Sequence, residues 1–248
     1  MTKKTWIIFA VVCVALVGGL IWLSRSKQVN VNAIDVNAIQ PASEQNGNIA
    51  DHVYGNKDAK VTIIEYGDFQ CPGCGAAAPV LHTVREKYKD KVRFVFRNFP
   101  LTSIHPNAMA AAATAEAAGL QGKYWEMHDN LYNLQNDWSS LSGKDRLDTF
   151  VSYAEGLGLN KDQFLRDIDS KAVAAKISFD RALGVKAKVT STPSIFVNGK
   201  AADQSVKDGK LVAGNNDDPL VWSSVELFEK HMIIPALKEA GVDIEADK

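Results

Sequence analysis

Cys71 and Cys74 stand one helical turn apart in the stretch Glu65-Tyr66-Gly67-Asp68-Phe69-Gln70-Cys71-Pro72-Gly73-Cys74. Two thiols at that spacing can close a disulfide with each other and reopen it by exchange with a second pair of thiols. Two other uses of the motif have to be weighed. A zinc site needs four ligands, but the remaining cysteine, Cys13, lies in a long apolar run, and the histidines His52, His82, His105, His128 and His231 are scattered without paired spacing. No metal is expected. A purely structural bridge across two intervening residues would close a short loop and constrain little of the unfolded chain.

The flanking pattern supplies a strand and then a helix. Val61 to Tyr66 is a short, mostly apolar and β-branched run that reads as a buried strand. Beyond Cys74, Leu81 and Val84 lie on one face ahead of the charged tail Arg85-Glu86-Lys87, the pattern of an amphipathic helix. Cys71 then falls at the helix N-terminus, where unpaired N–H groups and the helix dipole favour negative charge. A thiolate is stabilised there and becomes the attacking sulfur. Cys74, one turn further in on the same side, can resolve a mixed disulfide formed at Cys71.

Glu65 shares the face of Val61 and Ile63 by the period-two rule of strands. Burying a carboxylate is costly, so it is either the solvated end of the strand or an acid with work to do. In the second case desolvation raises its pKa, and it can accept and return the proton of Cys74. A third feature is Val189-Thr190-Ser191-Thr192-Pro193-Ser194-Ile195-Phe196-Val197-Asn198-Gly199, with Pro193 at the entrance to an apolar strand. A trans bond is the ordinary expectation, whereas a cis Thr192-Pro193 bond would present Thr192 backbone groups to whatever lies against the cysteines.

Taken together, these residues resemble the thioredoxin superfamily. The matching features are Glu65 ahead of Cys71-Pro72-Gly73-Cys74, Pro79 within the following helix, and Thr192-Pro193 before a strand. More narrowly the chain is similar to DsbA-type thiol-disulfide oxidoreductases of the membrane-anchored, BdbD-like branch. Val53-Tyr54-Gly55-Asn56-Lys57-Asp58-Ala59, Phe96-Arg97-Asn98-Phe99-Pro100-Leu101 and His105-Pro106-Asn107-Ala108 extend that similarity, which covers roughly His52 to Glu239. The resemblance implies that Thr192-Pro193 is cis, that Glu65 is the buried acid beneath the site, and that Pro72, Gly73 and Pro79 support it. One departure is Gly73, where the DsbA archetype carries histidine; without that cation, less thiolate stabilisation and a less oxidising disulfide are expected.

The chain has 248 residues, 46% hydrophobic and 23% charged, enough for an ordinary core, and its net charge of -1 indicates no nucleic-acid partner. Residues 1–5 are a short flank. Trp6 to Leu23 is an unbroken apolar or glycine run between Lys3, Lys4 and Arg25, Lys27, long enough to span a bilayer. A cleaved signal peptide competes with this reading, but Leu20-Ile21-Trp22-Leu23-Ser24-Arg25 offers no small-residue cleavage site, so 6–23 reads as a transmembrane signal anchor. Flanking charge is too balanced to orient it. Residues 24–50 are polar, contain the tandem Val31-Asn32-Ala33-Ile34-Asp35 and Val36-Asn37-Ala38-Ile39-Gln40, and read as a flexible tether with a reach on the order of 25 to 30 Å.

Residues 51–248 read as the DsbA-like thioredoxin domain that the resemblance implies. Val92 to Phe99 alternates Val92, Phe94 and Phe96 with Arg93 and Arg97, a strand with one more polar face. From about 106 to 184 the pattern is helical: Pro106 suits a first turn, Ser142 and Asn160 are candidate caps, and Gly119 and Gly184 are stops. Tyr124, Trp125, His128 and Tyr132 form an aromatic stripe of core spacing. Asn198-Gly199 favours a hairpin, a weaker strand lies near Leu211 to Ala213, and a closing helix runs from about Val221 to Glu239.

The expected fold is therefore α/β, thioredoxin-like, with an inserted helical subdomain and a single N-terminal transmembrane helix. The expected activity is disulfide exchange with unfolded or reduced exported proteins, with Cys71, Cys74 and Glu65 catalytic and no cofactor beyond the Cys71-Cys74 disulfide. The absence of other cysteines in the domain suits an oxidising, extracytoplasmic compartment. The resemblance further implies reoxidation by a quinone-linked membrane partner of the DsbB or vitamin-K-epoxide-reductase type. A reductase or isomerase would use the same residues, and a membrane-anchored binding module or holdase would need no turnover.

Overall fold

The computed structural model describes residues 29–215 and 217–244, together with Trp6, Phe9, Ala10, Val12, Cys13 and Val14. Those six positions are helical, but most of the 6–23 run lies outside the described residues, as do 1–5 and 24–28. Among the described residues no helix is long and apolar enough to cross a membrane.

A mixed sheet organises the domain, in the order β1 (Val53–Gly55), β3 (Val92–Asn98), β2 (Val61–Gly67), β4 (Ser194–Val197), β5 (Lys200–Ala201). The central strand β2 is buried at every position, as its continuous apolar run requires of a strand covered on both faces. It runs parallel to β3 and antiparallel to β4, which places Glu65 opposite Phe96 on one side and Ile195 on the other. Helix α1 (Pro72–Lys87) crosses from β2 to β3. Its Ala77, Leu81 and Val84 pack with Val61, Ile63 and Phe94 from one face of the sheet.

Between β3 and β4 lies the expected helical insertion: α2 (Ala108–Gly119), α3 (Tyr124–Asn133), α4 (Gln135–Trp138), α5 (Gly143–Gly156), α6 (Lys161–Ile168) and α7 (Lys171–Lys186). The alanine-rich α2 buries small side chains around much of its circumference, which lets neighbouring helices approach closely. Asn160 caps α6 through its side chain, whereas Ser142 precedes α5 without a side-chain cap bond. Gly184 does not stop α7, which continues to Lys186. A Cβ at Gly184 would lie 2.5 Å from the Phe99 ring, so the residue is small because β3's exit packs against the helix.

Asn198-Gly199 turns β4 into β5, with φ of 47° and 76°. The pair β6 (Ser205–Lys207) and β7 (Lys210–Val212) forms a separate hairpin. The closing helix starts later than expected, as α8 (Val225–Phe228), passes through a widened π segment (Glu229–Ile233) and ends as α9 (Ile234–Glu239). Pro235 has no N–H to bond the carbonyl of His231, and the widening falls immediately before it.

The flexible tether is corrected over its described part. Residues 29–50 pack onto the domain, with Val31, Gln40, Asn46 and Ile49 buried. Two turns form along the tandem, closed by Ile34 N–H to the Val31 carbonyl and by Ala38 N–H to the Asp35 carbonyl. Lys186 donates to the carbonyls of Val31, Asn32 and Ile34, and Arg97 donates to those of Val36 and Ala38.

Arg97 is also a correction, because the face expected to be more polar is buried. Its guanidinium is inaccessible and donates to Asp51 Oδ2 at 2.8 Å and the Tyr66 hydroxyl at 3.0 Å. Lys176, equally buried, bridges Asp51 at 2.9 Å and Asp180 at 2.6 Å. Burial alone would raise the Asp51 carboxyl, but Lys176 and Arg97 hold it down to about 2. Removing one charge from such a set leaves the others buried and uncompensated. Lys176→Met should therefore lose about 3–5 kcal/mol in urea unfolding, and Asp180→Leu added to it should recover part of that loss. A loss within the range of surface substitutions would mean that the network relaxes into water.

Candidate active site

The end of β2 delivers Gly67-Asp68-Phe69-Gln70 into a loop held from several sides. Asp68, almost fully buried, accepts from Gln70 N–H and Leu101 N–H, both at 2.8 Å, and faces His105 Nδ1 at 2.8 Å. Gln135 Nε2 donates to the carbonyls of Phe69 at 2.7 Å and Cys71 at 3.0 Å. Gln70 joins the insertion by donating to Ser139 and accepting from Asn107 N–H. These contacts fix the residue before the helix: Cys71 N–H reaches the Asp68 carbonyl, and the Cys71 carbonyl opens α1 by accepting from Gly75.

Cys71 is the N-cap of α1, with Pro72 in the first helical turn, where its missing N–H breaks no helical bond. Pro79 lies inside α1. The cysteines are free thiols, Cys71 8% exposed and Cys74 inaccessible. The Thr192-Pro193 bond is cis, and Cys71 Sγ donates to the Thr192 carbonyl at 3.4 Å. Gly73 separates the motif from that loop: a Cβ there would lie 3.5 Å from Pro193 Cδ and 3.7 Å from Cys71 Sγ. Thus the motif Cys71 to Cys74 and the loop at Thr192-Pro193, distant in sequence, meet at the Cys71 sulfur.

The two thiols differ strongly in acidity. A hydrogen bond from the Cys74 thiol is the main influence holding Cys71 down to about 5, against burial and with help from Thr192 and the N–H groups of Gly73 and Cys74. The Thr192 hydroxyl is buried with no partner beside the neutral thiol, so it is available to donate to a thiolate. Burial pushes Cys74 well above the usual thiol range, and Cys71 and Glu65 add to that. No cation at position 73 is needed for an acidic Cys71.

Glu65 is 2% exposed, and burial raises it to about 8; Arg85 opposes the shift and Cys71 adds to it. It is not a solvated strand end. Arg85 departs from its place in the expected charged tail. It is buried over the rings of Tyr54 and Trp125, at 4.4 and 4.8 Å, and pairs with Asp129 at 2.7 Å. Asp68, Gln70, Arg85 and Gln135 were not singled out from sequence. Only Asp68 and Gln70 carried a local signal, by adjacency to the motif.

The arrangement can hold a thiolate at Cys71, keep Cys74 protonated, and move a proton between Cys74 and Glu65. A carboxyl whose folded pKa lies above its unfolded value binds an extra proton in the folded state, so stability falls as pH rises from about 4.5 to about 8. Glu65→Gln removes that dependence. Relative to the parent, the variant should gain stability progressively over this range, by on the order of 4 to 5 kcal/mol at its upper end, while thiol exchange slows. Parallel stability curves for the two proteins would place the carboxylate in water.

Residues 47–213 match the family model described as Thioredoxin. Among solved structures, a thioredoxin-like oxidoreductase from Silicibacter pomeroyi is 27% identical, with a TM-score of 0.54 over 77% of this chain and 92% of that one. BdbD of Bacillus subtilis, at 20% identity, gives 0.59 over 81% and 98%. Wolbachia pipientis alpha-DsbA1, at 24% identity, gives 0.59 over 77% and 92%. Curated relatives include the Na(+)/H(+) antiporter NhaA 1 of Salinispora arenicola, 43% identical over 152 residues, which is 60% of this chain and 22% of that protein. NhaA 1 of Mycolicibacterium gilvum is 38% identical over 154 residues, 60% of this chain and 24% of that protein. The chain thus spans less than a quarter of the length of the curated relatives it matches. By its matched family model and by the sheet, helix and cysteine geometry described above, the chain belongs to the thioredoxin family.

Proposed function

We infer that this chain is a protein thiol-disulfide oxidoreductase that introduces disulfides into exported proteins, working from the outer side of a membrane to which residues 6–23 anchor it. The carrying observation is the inequality of the two thiols: Cys71 is acidic at a helix terminus, and Cys74 is buried and basic over a carboxyl that holds a proton near neutrality. DsbA-like oxidoreductases among the structural neighbours support thiol-disulfide exchange as the class. Sodium–proton exchange is not carried over from the antiporter relatives, because the shared piece is under a quarter of those proteins.

In the oxidising direction a substrate thiolate attacks Cys71 Sγ of the Cys71-Cys74 disulfide. Cys74 leaves with the electron pair and takes a proton from Glu65. A second substrate thiolate then attacks the substrate sulfur of the mixed disulfide, and Cys71 leaves as a thiolate that its hydrogen bonds stabilise. The substrate gains one disulfide and the enzyme is left with two thiols. A poor base is a good leaving group in exchange, so the acidic Cys71 favours release of oxidised substrate. Reoxidation then falls to a quinone-linked membrane partner of the DsbB or vitamin-K-epoxide-reductase type, and no further cofactor is required.

Division of labour between the sulfurs gives the test. Cys74→Ser should accumulate mixed disulfides with a reduced protein substrate on non-reducing gels, at least about tenfold more than Cys71→Ser. Equal trapping by both would remove the assigned roles, and full turnover by both would leave only a binding module. Reduction of insulin far faster than oxidation of a reduced substrate would favour the reductase alternative. For location, protease added to intact cells should digest the domain and leave a membrane-held fragment. Protection until the cells are opened would place the domain inside.

A further inference from the structure

Gln135 opens α4 in the helical insertion, and its side chain reaches back to the turn that carries the redox sulfur. Its Nε2 donates to the Phe69 carbonyl at 2.7 Å and the Cys71 carbonyl at 3.0 Å, so both amide hydrogens engage the backbone on either side of Gln70. The position from which it reaches is itself fixed. Trp138, three residues on, is inaccessible, donates its indole N–H to the Leu131 carbonyl at 2.8 Å and lies edge-on to Phe150 at 5.4 Å between centroids. Ser139 returns its N–H to the Gln135 carbonyl at 3.0 Å, and its own carbonyl accepts from Gln70 and Asn107.

Gly75 is the residue of α1 that faces this amide. A Cβ there would lie 2.7 Å from Gln135 Oε1, 3.2 Å from Cδ and 3.3 Å from Nε2. Gly75 sits inside the helix without a positive φ, so its backbone gives no reason for glycine, which is less favourable there than alanine. The close approach of Gln135 gives one. The turn that the amide holds is also the turn that serves the sulfur. Gly73 and Cys74 are the second and third residues of α1, whose N–H groups have no intrahelical partner and are the ones an N-cap side chain can receive. Cys71 as a thiol closes no such cap bond, and these two N–H groups help to hold its sulfur acidic. The Cys71 carbonyl, which accepts from both Gly75 N–H and Gln135, marks the ψ of Cys71 at 123°, the torsion that sets where its side chain stands against the turn.

We propose that Gln135 is a positioning residue for the redox reaction, clamping the Cys71 carbonyl so that the sulfur stays over the N–H groups of the first helical turn, with Gly75 leaving the room the clamp needs. The role deepens the thiol-disulfide reading above and rests on it. Exchange carries this sulfur between a bond to Cys74, a bond to substrate and a free thiolate. An N-cap residue is only half within its helix, so without a tie its backbone could turn as the sulfur changes partners. The amide bonds the backbone and not the sulfur. It therefore holds in all three states and takes part in none of the bond changes. A thiolate kept over these N–H groups is the better leaving group, and the clamp thereby favours release of oxidised substrate from Cys71.

The test uses the full chain and reads Cys71 in two ways: by the ultraviolet absorbance of its thiolate against pH, and by its equilibrium with reduced and oxidised glutathione. Gln135→Met keeps the length of the side chain and removes both donors. It should raise the Cys71 midpoint by about half to one pH unit and move the glutathione equilibrium about three- to tenfold toward the enzyme disulfide. A lowered melting temperature with midpoint and equilibrium unmoved would make Gln135 a structural tie and overturn the proposal. Gly75→Ala reads the same clamp with Gln135 in place. It should raise the midpoint of the parent by displacing the amide, yet leave that of Gln135→Ala unmoved, because the space is then empty. Additive shifts in the double variant, or no shift from Gly75→Ala in the parent, would overturn the clamp. A parent that exchanges no disulfide with glutathione would remove the thiol-disulfide reading and the proposal with it, an outcome distinct from an unmoved midpoint in a parent that does exchange.

Discussion

Withdrawal of Glu65 from water is the constraint on which the redox face depends. A carboxyl in the middle of a fully buried strand keeps its proton to about pH 8, and the covering layers that cause this also bury Cys74. The same packing leaves Cys71 at the edge, where N–H groups of the first helical turn point outwards. Two chemically identical side chains are thereby separated into an acid and a proton holder, Cys74 chiefly by depth and Cys71 chiefly by the hydrogen bonds that its sulfur receives. The hydrogen bond from Cys74 to Cys71 amplifies the difference, because it stabilises charge on one sulfur only while the other keeps its hydrogen.

Strands β2 and β3 carry charge on both of their faces, handled in opposite ways. Towards α1, Glu65 has Arg85 as an opposing charge, but Arg85 is directly paired with Asp129 and lies over two aromatic rings, so Glu65 remains raised. Towards α7, Arg97 and Lys176 are matched at short range by Asp51 and Asp180, and Asp51 remains ionised. Two cations together hold Asp51 ionised against its burial, whereas the opposition of Arg85 alone leaves Glu65 raised. The second face uses its fixed charges to bind the chain from Val31 to Asp51 against the sheet.

Much of the site was legible because its signals are local. The thiol spacing, the strand ahead of it and Glu65's place in the pleat follow from residue types within a few positions of each other, and the structure places them as expected. The helical insertion and the hairpin at Asn198-Gly199 were legible for the same reason. What could not be read depends on partners far along the chain. Arg97 looks like a solvent-facing strand residue until Asp51 and the carbonyls of Val36 and Ala38 are brought to it. Residues 29–50 look like a tether because the five-residue repeat of their apolar residues matches neither the helix nor the strand period, yet single turns bury some of them. Gln135 reaches the Cys71 carbonyl only through the packing of the insertion, for which no local pattern exists.

The insertion consequently does more than enlarge the domain. Asp68 and Gln70 of the motif loop are tied to Leu101, His105, Asn107 and Ser139, and Gln135 ties the Phe69 and Cys71 carbonyls to α4. The side chain buried over Cys74, Phe69, stacks on Phe96 of β3 and packs on Tyr132 of α3. A helix terminus projecting from a sheet would be free to fray, since its first N–H groups have no intrahelical partners. Here the Phe69 carbonyl, two residues before the cap, and the Cys71 carbonyl at the cap are held from the insertion while the sulfur faces Thr192. The orientation of Cys71 is therefore set by two separate segments, the helical insertion behind it and the loop at Thr192 in front, and an attack on its sulfur meets a group already aimed.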